Sequence, residues 1–222
     1  MIHRDTLQFL SNLKDNNNRE WFDHNRRSFE LARNNFFEFV QMLINELSKF
    51  DTSIQFVRPK DCIFRINRDI RFSADKSPYK TNFGAFISKS GKKATSTAGY
   101  YFHLEPDNSF AGGGIYMPKP IELKKIRNFI SENFPDFLEI IKSQKFLSVF
   151  GNLDNDLAFV LKRLPKGYEA DNPAAEYLKY KSFTATVSFA DNELSDESLL
   201  EKTIDIFVAL KPLNDFLNKA LE

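Results

Sequence analysis

The sequence predicts an α+β fold: an antiparallel sheet, a meander of central strands, packed against a long N-terminal helix and C-terminal helices. Three observations predict it. Apolar residues recur at helical spacing toward both ends of the chain. The period falls to two residues in the middle. The segments with that short period are joined by brief turn-forming clusters, so neighbouring strands must run antiparallel.

The elements follow in order. Asp5 or Thr6 is placed to cap a short helix carrying Leu7, Phe9, Leu10 and Leu13, which ends at Asp15-Asn16-Asn17-Asn18. Asn18 then caps a long helix running to about Phe50, with Trp21, Phe22, Phe29, Phe36, Val40, Leu43, Ile44 and Leu47 at helical spacing. Strands are expected near 63–72, 82–89, 99–105 and 110–116. In the first, Phe64, Ile66, Ile70 and Phe72 alternate with Arg65, Asn67, Asp69 and Arg71. Ser90-Gly91-Lys92 and Pro106-Asp107-Asn108 supply the turns. Pro120 and Pro135 suit the first turns of two helices, and a third is expected over 154–163. Asn172-Pro173 reads as a cap and first turn, and 183–189 as one more strand. An amphipathic helix over 195–210 should stop before Pro212, which opens a last short one.

Composition bounds the function. The length of 222 residues suits a single domain, 1–222, and 42% hydrophobic residues suffice for a sizeable core. The 24 phenylalanines read as core filling, since Phe has no polar atom to satisfy. A net charge of +1 supplies no overall field toward nucleic acid or a membrane. The single cysteine, Cys62, allows no intrachain disulfide, and His3, Arg4 and Asp5 interrupt any early apolar run. No run approaches the ~20 apolar residues of a membrane span. The expected location is a reducing cytoplasm, with no membrane partner.

One strip stands apart. Residues 64–81 hold five cations (Arg65, Arg68, Arg71, Lys76 and Lys80), two carboxylates (Asp69 and Asp75) and Tyr79. On a strand, Arg68 falls among the apolar residues, where it must be paired or reach solvent. The functional reading is an anion site, with arginine forks for phosphate or carboxylate, Lys76 and Lys80 adding charge and Tyr79 stacking on or bonding to the ligand. The alternative is a strand laced by Arg–Asp pairs on a solvated face. Asp69, Asp75 and His103 are the acid/base candidates should the protein be an enzyme, and their spacing selects no reaction. Three scattered histidines and one cysteine make no transition-metal site, and no cofactor is expected; magnesium would need only a carboxylate such as Asp69 or Asp75. Gly112-Gly113-Gly114 matches no phosphate-binding fingerprint and suits a strand bend or a close backbone approach.

The run Arg65 to Thr81, together with Asn16-Asn17-Asn18-Arg19-Glu20-Trp21-Phe22, Gly99 to Pro106, Gly112-Gly113-Gly114 and Pro165-Lys166-Gly167-Tyr168, resembles the bacterial and fungal family called domain of unknown function 2461. The resemblance covers nearly the whole chain. It departs at Asn172-Pro173, where the family leads one to expect histidine before the proline. It implies one module with no established activity and supplies no catalytic residues. Three functions stay open: a protein acting on a phosphorylated or carboxylated ligand at the strip, a nucleic-acid-associated protein using the same cations, and a protein-interaction module with a structural strip. Near-zero net charge counts against the second.

Overall fold

A computed structural model describes residues 1–93 and 97–222. Its fold is α+β, with a four-stranded antiparallel meander in the order β1-β2-β3-β4. Helix α1 spans Arg4–Asp15. His3, not Asp5 or Thr6, stands at its cap, because Thr6 turns inward and its hydroxyl donates to Asn35 Oδ1 at 2.9 Å. The long N-terminal helix is divided. Asn18 caps a short helix α2 (Arg19–His24), accepting from the Trp21 N–H at 2.9 Å. The chain breaks at Asn25 (φ −102°, ψ 16°), whose side-chain amide donates to the Trp21 carbonyl at 2.9 Å beside its own backbone N–H at 3.0 Å. Helix α3 (Arg26–Leu47) follows and stops short of Phe50.

After a short helix α4 (Pro59–Cys62), the predicted strand over 63–72 does not form. Among the described residues two single antiparallel bridges stand in its place, Ile63 with Ala85 and Asn67 with Tyr79. The alternation holds in part: Ile66 is buried while Arg65, Asn67 and Asp69 are exposed. It fails at Phe72, which is 95% exposed. The cause is local, since side chains here bond to nearby backbone and to one another in place of a ladder.

Strands β1 (Phe83–Ile87), β2 (Gly99–Leu104) and β3 (Ser109–Ile115) follow, close to their predicted places. The turn expected at Ser90-Gly91-Lys92 is present as a turn running into a single 3-10 turn, Gly91–Lys93. At Gly114, φ is +108° and an added Cβ would stand 2.1 Å from the Phe183 carbonyl oxygen, so the glycine run serves close backbone approach.

Helices α5 (Pro120–Glu132) and α6 (Phe134–Lys142) open on their prolines as predicted, and α7 (Gln144–Phe150) is capped by Ser143. The helix expected over 154–163 is absent. Its place is taken by extended chain and a 3-10 turn (Leu157–Phe159), because the Asp154 N–H donates to the Thr184 carbonyl at 2.8 Å and Val160 bridges to Tyr180. Asn172 makes a turn, accepting from the Ala174 N–H at 2.8 Å, and α8 (Ala175–Leu178) begins after it. Strand β4 (Phe183–Phe189) and a short α9 (Asp191–Leu194) lead to α10 (Leu199–Lys219), which runs through Pro212. Proline costs roughly 3 kcal/mol inside a helix. Leu213 and Leu217 beyond it are fully buried, and each contributes roughly 1.5–3 kcal/mol, which offsets that cost.

The chain divides into two compact units. The first holds Met1–Lys92, Tyr101–Ala111 and Ser188–Asp205. Its core joins α3 to the sheet through Phe36 against Phe83 (5.4 Å between centroids) and Phe39 against Phe102 (4.9 Å). The second holds Lys93–Tyr100, Gly112–Val187 and Ile206–Glu222. There Phe137 is surrounded by Tyr177, Phe183 and Phe216, and Tyr100 packs on Phe207.

Candidate functional site

The strip belongs to the first unit and is held from both ends of its sequence. Asn17 acts as a strand in miniature: its amide donates to the Tyr79 carbonyl (3.0 Å) and its oxygen accepts from the Tyr79 N–H (3.1 Å). Phe22 stacks on the Tyr79 ring at 3.9 Å and 15°. The two flanks of the strip then pair, Arg68 N–H to Pro78 O at 2.9 Å and Lys80 N–H to Ile66 O at 2.8 Å. Between them the loop closes on Arg68, which is ion-paired to Asp75 and donates to Ser77 Oγ (2.5 Å) and Ser73 Oγ (3.4 Å). Asp75 also accepts from the Ser77 hydroxyl and N–H, and these bonds with Arg68 hold its carboxyl well below the usual carboxylate range.

The predicted cations therefore do not converge on one point. Arg68 is committed to Asp75, and Arg71 to Asp69 through a fork of 2.9 and 2.7 Å. Lys76 donates to the Ile70 carbonyl at 3.0 Å. Tyr79 is buried at 7% exposure, its ring covered by Phe22. Arg65 is exposed and, among the described residues, has no ion-pair or hydrogen-bond partner. Lys80 lies with its ammonium 5.3 Å from the Phe64 ring centre, and burial lowers its pKa, with Arg65 adding to that.

Arg65 opens onto a cleft of about 310 Å³. Arg33 from α3, Lys60 from α4 and Lys92 from the turn after β1 also line it, and no carboxylate does. Its apolar lining includes Phe29, Phe37, Phe64 and Phe83. The Lys92 ammonium donates to the Lys60 carbonyl at 2.8 Å and to the Ile63 carbonyl, which ties the start of the strip to the turn. Sequence reasoning missed Arg33, Lys60 and Lys92. Each is an ordinary solvent-side cation in its own segment, and only the fold assembles them; no local spacing could have found them.

The sequence profile of the family described as "Conserved hypothetical protein (DUF2461)" matches residues 5–216. The chain belongs to this family. No curated protein and no solved structure matches it.

In this DUF2461 chain the third acid/base candidate, His103, lies in a row along β2. His103 Nδ1 is 3.0 Å from the Tyr101 hydroxyl, and Nε2 is 3.1 Å from Glu105 Oε2. Glu105 also accepts from Thr81 Oγ1 and Asn108 Nδ2, each at 2.9 Å. Burial alone would raise its pKa, but the bonds from Asn108, His103 and Thr81 together hold it below the ordinary value. Glu105 is therefore a carboxylate and accepts only, so Nε2 carries the imidazole proton and Nδ1 accepts from Tyr101. Burial, opposed by Glu105, lowers the pKa of His103, whose ring stacks on Phe110 at 4.8 Å. Burial, aided by Glu105, pushes the Tyr101 hydroxyl up to about 12. Among the described residues no three of His, Cys, Asp and Glu gather as a metal site, and no helix is long and apolar enough to cross a membrane.

Proposed function

We propose that this chain binds a small anion with an apolar body, a phosphorylated or carboxylated compound, in the cleft beside Arg65. The observation that carries the reading is the lining: four cations, no carboxylate, and a floor of phenylalanine. Most enclosed sites combine an apolar surface with a few polar groups that orient the ligand. Here Arg65 and Arg33 are exposed cations able to take the charged end, and the rings take the body. Arg68 and Arg71 shape the loop, and Lys80 adds charge behind Phe64. The cytoplasm remains the expected location.

A second reading, contact with single-stranded nucleic acid, rests on Phe72. Its exposed ring lies 5.8 Å from the Arg71 guanidinium at the tip of the loop and offers a surface for stacking.

The test is a thermal melt at constant ionic strength with inorganic phosphate, phenyl phosphate and a single-stranded oligonucleotide. The parent is compared with Arg33→Ala/Arg65→Ala, which stays folded because both side chains are exposed. Phenyl phosphate should stabilise the parent by about 2.7 kcal/mol at one hundred times its dissociation constant. It should act more strongly than phosphate and leave the variant unmoved. Equal shifts in the two proteins rule the cleft out. A shift with the oligonucleotide alone, abolished by Phe72→Ala, favours the second reading.

A further inference from the structure

The second unit contains a buried cation that the cleft does not explain. Arg127, on α5, is 9% exposed and is, among the described residues, the one charged side chain in the buried interior. One of its N–H donors is used, Nη2 to the Tyr180 carbonyl at 2.9 Å. Its Nε is buried without a partner, and among the described residues no carboxylate pairs with the guanidinium. A guanidinium has five N–H donors and cannot shed its charge; here Nη2 has one protein acceptor and the buried Nε has none, which is costly unless something else completes it. Tyr168 donates its hydroxyl to Asn128 Oδ1 at 2.6 Å, and Asn172 donates to Ser131 Oγ at 2.6 Å. The Pro165–Tyr168 segment, singled out in the sequence and unused by the cleft, is thereby tied to the helix that carries Arg127.

We infer that Arg127 is a second anion site, independent of the cleft, and that it takes a carboxylate. Two oxygens of a carboxylate match two N–H groups of a guanidinium, and its single charge matches a single buried cation. A phosphate dianion would bring a second charge with no cation among the contacts of Arg127 to meet it. The Tyr168 hydroxyl oxygen, whose proton goes to Asn128, flanks the site.

The test follows the Arg127 Nε–H resonance in isotope-labelled full-length protein, assigned by through-bond experiments, while acetate replaces chloride at constant ionic strength. The resonance should move along a saturating curve, and acetate should raise the Tm of the parent but not of Arg127→Lys, which keeps the charge and lacks the Nε–H. Phosphate above its second pKa should leave the resonance in place. The Arg33→Ala/Arg65→Ala protein should respond to acetate like the parent, which separates this site from the cleft. A resonance that acetate does not move, a Tm gain equal in Arg127→Lys, or a phosphate shift equal to that of acetate overturns the assignment. If Arg127→Lys does not fold, the resonance of the parent decides alone.

Discussion

Arg68 and Arg71 lie on the same loop and do different work. Arg68 bridges Asp75, Ser77 and Ser73 across the loop, with its side chain 25% exposed, whereas Arg71 grips its near neighbour Asp69 with its side chain 75% exposed. A pair so exposed adds little to stability. Arg68→Ala should therefore lower the Tm clearly more than Arg71→Ala, measured by calorimetry at pH 7; equal small losses would mean that the loop does not depend on its bridge. His103 makes a pH-dependent contribution. Its folded pKa lies below the ordinary 6.5, so below that pH the unfolded chain binds a proton that the native state resists. Stability should be full above 6.5 and fall as the pH drops toward the lowered folded value. Urea midpoints between pH 8 and 5.5 should show this fall in the parent and a smaller one in His103→Gln. That Arg68 needs a partner was legible from its place among Phe64, Ile66 and Ile70, although the strand on which that reading rested does not form. The place of Tyr79 was not: its ring lies on Phe22, a distant residue in sequence, and nothing local announces that contact.

At the scale of elements, Asn17 joins the N-terminal helices to the strip. Asn17→Ala leaves the Tyr79 N–H and carbonyl without partners and should cost roughly 1–3 kcal/mol in urea unfolding. Gly114→Ala meets a positive φ and the Phe183 carbonyl, and should cost on the order of 3 kcal/mol or more, with the β3–β4 amides losing protection from hydrogen exchange. Where apolar period and turn chemistry agreed, as in β1 to β4, α5 and α6, the elements stood where the sequence placed them. Two of the failures share a cause. Over 63–72 and over 154–163 the backbone is met by side chains or by chain remote in sequence, and hydrophobic period carries no record of either. At Pro212 burial of the following leucines outweighed a local rule.

For the whole molecule, a net charge of +1 means that attraction to polyanions must come from local groups alone. Retention on heparin should therefore be weak and lost at moderate salt, while phenyl phosphate binding survives the same salt because the apolar floor supplies part of it. Strong heparin retention, lost in Arg33→Ala/Arg65→Ala, would point to a polyanion as the true ligand. The cations of the cleft come from a helix, a short helix, an irregular strip and a turn, which is why the strip was visible in the sequence and the cleft was not.

The irregular segments flanking the sheet have a further consequence. In the order β1-β2-β3-β4, the first and last strands each have a side with no neighbouring strand among the described residues. Phe64 donates its N–H to the Gly84 carbonyl beside β1, and Asp154 does the same to Thr184 beside β4. Each lateral border is thus met by a short stretch of chain too bent to extend the ladder. A free border is a template on which another copy can add its own strand, and regular strands at 63–72 or beside β4 would only have moved that template outward. By bending away after one or two contacts, these segments offer no straight run at those points for a neighbour to join, which is one of the ways proteins blunt the edge of a sheet.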